Sequence, residues 1–197
     1  IGAFFLFSKK SFSNQTKLNE LMRKQFLGSN DAPIKIKEFF SLTCGHCSNF
    51  HIKTLPQLKK KYIDTGKVQL EFIDYPLDRL AVIAATLARS IPTKDGYIEA
   101  VSILLKKQKQ WAYSKNPLNE LQSIAKLFGI SSKKFNDISQ NIPLMQEIVT
   151  KMEEESKNFD INSTPTFIVN DKYKISGALS FKDFEKELLK SINAKKS

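Results

Sequence analysis

Cysteine is scarce in this chain, with two residues among 197. Two cysteines in one short motif cannot supply the crosslinks that hold small exported domains together, so the fold must rest on a buried core. At 41% hydrophobic residues the chain is long enough to bury one. Solenoid periods and low-complexity tracts are both missing. Long apolar runs are missing too. The opening Ile1-Gly2-Ala3-Phe4-Phe5-Leu6-Phe7 is too short to span a bilayer and is followed by Ser8-Lys9-Lys10. We read it as the remainder of an export signal or membrane anchor, the alternative being an ordinary N-terminal strand or helix. Acidic residues are in deficit, 20 against 31 Lys and Arg, for a formal charge of +11. The lysines are scattered (Lys9, Lys35, Lys59 to Lys61, Lys106, Lys107, Lys133, Lys195) without an aromatic stacking platform, so the excess describes a solvated surface and no nucleic-acid partner is expected.

What is present is concentrated in one place. Glu38-Phe39-Phe40-Ser41-Leu42-Thr43-Cys44-Gly45-His46-Cys47 holds both cysteines, after an apolar run that reads as a strand and before a segment that reads as a helix. A Cys-x-x-Cys at a strand-to-helix junction points to thiol–disulfide chemistry, because a helix N-terminus offers unpaired N–H groups and partial positive charge to a thiolate. Haem attachment is excluded because Ser48, not His, follows Cys47. His51 would complete a Cys-His-Cys-His set, but four ligands so close together at a helix start cannot converge tetrahedrally. No metal and no cofactor are therefore expected.

Along the chain, Leu18, Leu21, Met22 and Phe26 recur at helical spacing from about Thr16 to Leu27, before the breakers Gly28 to Pro33. Residues 1–27 read as an N-terminal arm, a candidate for self-association if its apolar stripe is exposed and a packed first helix if it folds back. Ile34 to Phe40 reads as a strand. A long helix follows with Pro56 kinking it and Gly66 closing it, and Val68 to Asp74 is a second strand, giving a βαβ unit with a parallel sheet. Helical patterns then fill Leu80–Ala88, Tyr97–Leu105, Leu118–Phe128 and Ser132–Gln140. A further helix over Pro143–Lys157 leads to Ser163-Thr164-Pro165, a hairpin over Thr166–Ile175, and a closing helix over Phe181–Ile192. Trp111 and Tyr113 read as aromatics of the core or rim of the helical block. This is the thioredoxin order with a helical insertion: residues 28–76 and 142–197 form the thioredoxin-like domain and residues 77–141 the inserted domain.

The chain resembles the DsbA family of exported bacterial thiol:disulfide oxidoreductases. The resemblance runs from about Gly28 to Ile192 and is carried by Asp31-Ala32-Pro33, Glu38 to Cys47, Phe50-His51, Tyr62 to Val68, Tyr75-Pro76-Leu77-Asp78, Asn162 to Phe167 and Gly177-Ala178. It implies an α/β thioredoxin fold with an inserted α-helical domain, a site in the periplasm or outside the cell, and unfolded or partly folded cysteine-containing proteins as substrates. It also implies a membrane redox partner that reoxidises or reduces the site.

Within the motif, Cys44 is the expected nucleophile, its pKa lowered by the helix terminus. His46 is placed to stabilise the Cys44 thiolate by charge or hydrogen bonding, and Gly45 keeps the approach free of a side chain. Cys47, one turn further in, is the shielded resolving thiol. Glu38 points inward beneath the cysteines if the strand phase holds, where a carboxylate can pass protons to and from Cys47; family members carry an acid there. The resemblance makes Thr164-Pro165 a cis-proline loop facing the cysteines, with the Thr164 backbone pairing to an extended substrate.

Two departures matter. Close relatives often carry a second cysteine pair, where this chain has Ser90 and Ile138. Strong oxidants of the family have Pro in place of Gly45 and commonly Val in place of Thr164, whereas Cys-Gly-His-Cys resembles protein disulfide isomerase and Thr before the proline resembles the bacterial isomerases. Oxidation is the first expectation. Isomerisation by an oligomer assembled through residues 1–27 is an alternative, and a redox-inactive chaperone or peptide-binding module a further one.

Overall fold

Side-chain alternation along two central strands determines where everything else sits. The computed structural model describes residues 15–93 and 95–193. Strand β2 (Ile34–Phe40) pairs in parallel with β3 (Val68–Asp74), from Ile34 opposite Val68 to Phe40 opposite Asp74. On β2, Ile36, Glu38 and Phe40 face the main core, joined by Val68, Leu70 and Phe72 of β3. Phe39 faces the other way, into a smaller cluster with Ile161 and Ile168. Lys37, on that second face, bridges to Asp171 at 3.1 Å and Glu155 at 3.4 Å. The period of two thus decides that a carboxylate, Glu38, enters the main core while a lysine beside it stays at the surface.

Between these strands run α2 (Gly45–Lys53), α3 (Leu55–Leu58) and a π-helical turn, Lys59–Ile63. The expected proline kink is the α2–α3 break at Thr54, with Pro56 in the first turn of α3, where its missing N–H costs no helical bond. Phe50 of α2 packs with Phe167 (ring centroids 4.5 Å apart) and Phe184 (5.5 Å), which anchors the helix across the sheet.

The insertion comprises α4 (Arg79–Arg89), α5 (Gly96–Lys106), α6 (Gln108–Trp111), α7 (Pro117–Lys126) and α8 (Ser132–Ser139). Asp78 caps α4 by accepting from the Ala81 N–H at 2.8 Å, and Ser131 caps α8 through the Lys134 N–H at 3.2 Å. Trp111 is fully buried, its indole N–H donating to Leu104 O at 2.8 Å, whereas Tyr113 is 70% exposed. Helix α9 (Ile142–Phe159) covers the second sheet face with Phe159, and the chain ends in β4 (Thr166–Val169), β5 (Tyr173–Ser176) and α10 (Phe181–Asn193).

The N-terminal region departs from the helix expected over 16–27. Helix α1 covers residues 15–21, and β1 (Phe26–Leu27) pairs antiparallel with Glu71 and Leu70 of β3, so the sheet has the order β1-β3-β2-β4-β5. The reason lies in the buried Arg89, whose Nη1 donates to Leu21 O at 3.1 Å and to Arg23 O at 3.4 Å, capturing the carbonyls where the helix stops. Leu18, Leu21, Met22 and Leu27 pack on the main core, so this stretch folds back. The apolar run Ile1–Phe7, read as an anchor or signal remainder, lies outside the described residues. No helix among the described residues is long and apolar enough to cross a membrane.

Candidate active site

Strand β2 ends at Phe40, and the loop that follows delivers Cys44 to the N-cap of α2. Both cysteines are free thiols. Cys44 has extended backbone angles and its Sγ accepts from the Cys47 N–H at 3.4 Å, as a cap side chain does. Its Sγ also lies 3.4 Å from Thr164 O, to which the thiol donates. The Thr164-Pro165 peptide bond is cis, and the 3.4 Å contact with Thr164 O sets this loop beside Cys44.

The two thiols differ sharply. Cys44 is 8% exposed and its pKa is pulled from 9.0 down to about 5. The largest cause is hydrogen bonding from the Cys47 side chain; Thr164 and the backbone N–H groups of Cys47 and His46 add to it, against burial. Cys47 is wholly buried, and that burial pushes its thiol well above the ordinary range, with the charges of Cys44 and Glu38 adding to it. One thiol is therefore an anion near neutral pH and the other a protonated neighbour.

Glu38 is wholly buried, as the strand phase required. Its Oε1 lies 2.9 Å from His51 Nε2, and its Oε2 has no hydrogen-bond partner among the described residues. The His51 ring, set aside above as a metal ligand, is spent on this carboxylate. Among the described residues no cluster of three or more Cys, His, Asp or Glu side chains is placed to hold a metal. His46 is exposed, and its backbone rather than its ring figures among the influences on Cys44. At Gly45 a Cβ would sit 3.9 Å from Gln108 Oε1 and 4.0 Å from Tyr113 OH, so packing does not demand glycine there.

Two residues that hold the site escaped the sequence reading. Gln108 of α6, 3% exposed, donates from Nε2 to Leu42 O at 2.7 Å and to Cys44 O at 3.0 Å. The cysteine loop is thereby clamped to the helical insertion. Thr43 Oγ1 donates to Asp78 Oδ2 at 2.7 Å, so the residue that caps α4 holds the loop from a second side. Gln108 sits among lysines and glutamines with no local signal of burial; Asp78 stood only within the Tyr75-Pro76-Leu77-Asp78 stretch, with no signal for its bond to Thr43.

A depressed thiol at a helix N-terminus, a buried partner thiol and a facing cis proline on this fold define a thioredoxin-fold protein with a thiol-exchange site. A family model described as Thioredoxin matches residues 21–190. The crystal structure of Wolbachia pipientis α-DsbA1 has a TM-score of 0.77 to this chain at 31% identity, with 85% of this chain and 90% of that one covered. Chlamydia trachomatis DsbA shares the fold, with a TM-score of 0.71, 21% identity, and 87% of this chain and 91% of that one covered. In sequence, a Rickettsia typhi protein provisionally named a protein-disulfide oxidoreductase is 31% identical over 144 residues, which is 73% of this chain and 53% of that protein. The chain thus spans about half the length of that relative. It belongs to the thioredoxin family and, within it, to the DsbA-like thiol:disulfide oxidoreductases.

Proposed function

We propose that the chain is an exported thiol:disulfide oxidoreductase that forms disulfides in unfolded or partly folded cysteine-containing proteins through Cys44-Gly45-His46-Cys47. The observation that carries this reading is the contrast between the two thiols. A Cys44 thiolate held down to about pH 5 stabilises the reduced state and so makes the Cys44–Cys47 disulfide a ready donor. In the first step a substrate thiolate attacks Cys44 Sγ, the Cys44–Cys47 bond breaks, and Cys47 takes the electron pair and a proton. A second substrate thiolate then attacks the mixed disulfide and expels Cys44, whose low pKa makes it a good leaving group. When the substrate cannot complete that step, Cys47 attacks from behind and releases it.

In this reading Glu38 exchanges the proton of Cys47, His46 supports the Cys44 thiolate, and the Thr164 backbone lies against extended substrate beside Pro165. Residues 28–76 and 142–197 carry the chemistry and residues 77–141 cover it. The site lies in the periplasm or beyond, and a membrane partner restores the disulfide. Refolding of reduced ribonuclease tests the proposal. The chain should accelerate it in its oxidised form and Cys44→Ser should not; acceleration that survives Cys44→Ser would leave a redox-inactive chaperone or peptide-binding module instead.

Gly45 and Thr164 favour a second reading, a disulfide isomerase working as an oligomer through residues 1–27. Scrambled ribonuclease separates the two, since an isomerase rescues it and an oxidase acts on the reduced substrate alone.

A further inference from the structure

Cys47 gains or loses a proton each time the disulfide opens or closes, yet it is wholly buried, and so is Glu38. Cys44 itself is only 8% exposed, and a substrate joined to its Sγ occupies that exposed side. The chemistry needs another route for the proton.

Glu38 has one side-chain hydrogen-bond partner among the described residues, His51, at 2.9 Å from Oε1, while Oε2 has none. Its charge nevertheless acts on the Cys47 thiol. The His51 ring is caged by Phe40, Phe72 and Phe50, with centroids 5.7 to 5.9 Å away, and residue His51 keeps 7% exposure. It lines a cleft of about 240 Å³ between α3, β3 and α5, with Leu55, Phe72 and Val101 in its walls and Lys59 and Lys106 among its lining residues. That cleft shares no residue with the groove beside Cys44, which is lined by Gly45, Gln108 and Tyr113.

We propose that His51 is a positioning and relay residue for Glu38, joining the buried carboxylate to solvent through this separate cleft. The inference rests on the exchange chemistry proposed above. When the disulfide opens, the electron pair of the S–S bond goes to Cys47, Glu38 supplies its proton, and His51 restores that proton to Oε1 while the ring takes one from solvent. When Cys47 attacks a mixed disulfide the same proton travels outward: Cys47 gives it to Glu38, the new S–S bond forms with Cys44, and the expelled thiolate carries away the electron pair. An imidazole suits the task because it accepts at one nitrogen while donating at the other. The other titratable groups facing the pair are Cys47 on α2 and Tyr97 on α5, the phenol of Tyr97 being held up by burial, then by Asp74 and also by Glu38. Behind Tyr97 lie Asp74 and Arg89, paired at 2.6 Å, and Lys59 and Lys106 are exposed at the cleft. None of these bonds Glu38 among the described contacts.

The step to measure is release of glutathione from a Cys44–glutathione mixed disulfide by Cys47. His51→Gln keeps a donor for Glu38 but cannot relay a proton, and should slow release by about tenfold or more with a flattened pH profile. The Cys44 pKa, read from thiolate absorbance, should stay near its parent value. His51→Ala should be slow as well and be restored by imidazole entering the cleft. A wild-type rate and pH profile for His51→Gln would overturn the relay, as would a slow His51→Ala that folds but ignores imidazole. Should the parent chain show no exchange that depends on Cys44, the fault lies with the proposed function itself; an active parent with a slow Glu38→Gln and a fast His51→Gln discards the relay alone.

Discussion

Cys44 and Cys47 are the same side chain three positions apart, and the protein holds their protons in opposite ways. A thiol whose folded pKa lies below its unfolded value stabilises the reduced fold fully above the unfolded value and loses that contribution as pH falls through the folded one. For Cys44 the window runs from about 9 down to about 5. At about 1.4 kcal/mol for each tenfold change, the contribution is on the order of several kcal/mol. Cys47, held up by burial, works against the reduced fold only above the ordinary thiol range, where the unfolded chain would ionise it. Urea titrations of reduced and oxidised protein should therefore show the reduced form gaining on the oxidised one from acid to neutral pH; a constant difference would mean that Cys44 is not depressed. Thr164 offers a second test, because it is among the groups that lower Cys44 and its buried Oγ1 meets no hydrogen-bond partner among the described residues. Thr164→Val should raise the Cys44 pKa above about 5 at little cost in stability. Thiolate absorbance against pH reads the shift directly.

The elements differ in what they contribute to the site. Helix α2 supplies the terminus, and Phe50 pins it against β4 and α10 through Phe167 and Phe184. The short α6 contributes one side chain, Gln108, whose two bonds reach the carbonyls of Leu42 and Cys44. Removing it strands two carbonyls beside the active thiol. Gln108→Ala should cost about 2 kcal/mol in urea unfolding and loosen the cysteine loop, which hydrogen exchange of residues 41–44 would report; an unchanged loop would mean that Asp78 holds it alone. The β1–β2 connection depends on a backbone property. Gly28 has φ of +96° and a Cβ there would collide with Val68 O, so Gly28→Ala should destabilise the edge of the sheet and lower the melting temperature.

Across the whole molecule, the N-terminal segment is part of the fold from residue 15 onward. Its apolar side chains Leu18, Leu21, Met22 and Leu27 pack on the main core, and the buried Arg89–Asp74 pair ties it to β3 and α4. A chain beginning at Gly28 should lose on the order of a few kcal/mol, the burial of several partly covered side chains, and leave the β3 edge unpaired. Thermal melting checks this, and light scattering on the same pair of proteins shows whether association depends on the segment. The strand-to-helix junction at Cys44, the alternation that buries Glu38 and the βαβ and ββα order were all legible in the sequence, because they follow from local periodicity and from residue chemistry. The strand nature of Phe26–Leu27 was not, since a two-residue edge strand has no period and Arg89, some sixty residues away, ends the helix before it. Nor could Gln108 or the Glu38–His51 pair be read from spacing. Local sequence determined that a reactive cysteine pair would sit at a helix start over a buried acid. Which side chains hold its loop, which ring meets its carboxylate and where that ring reaches solvent were decided by tertiary packing, because each depends on segments that meet only when the sheet and the insertion close on one another.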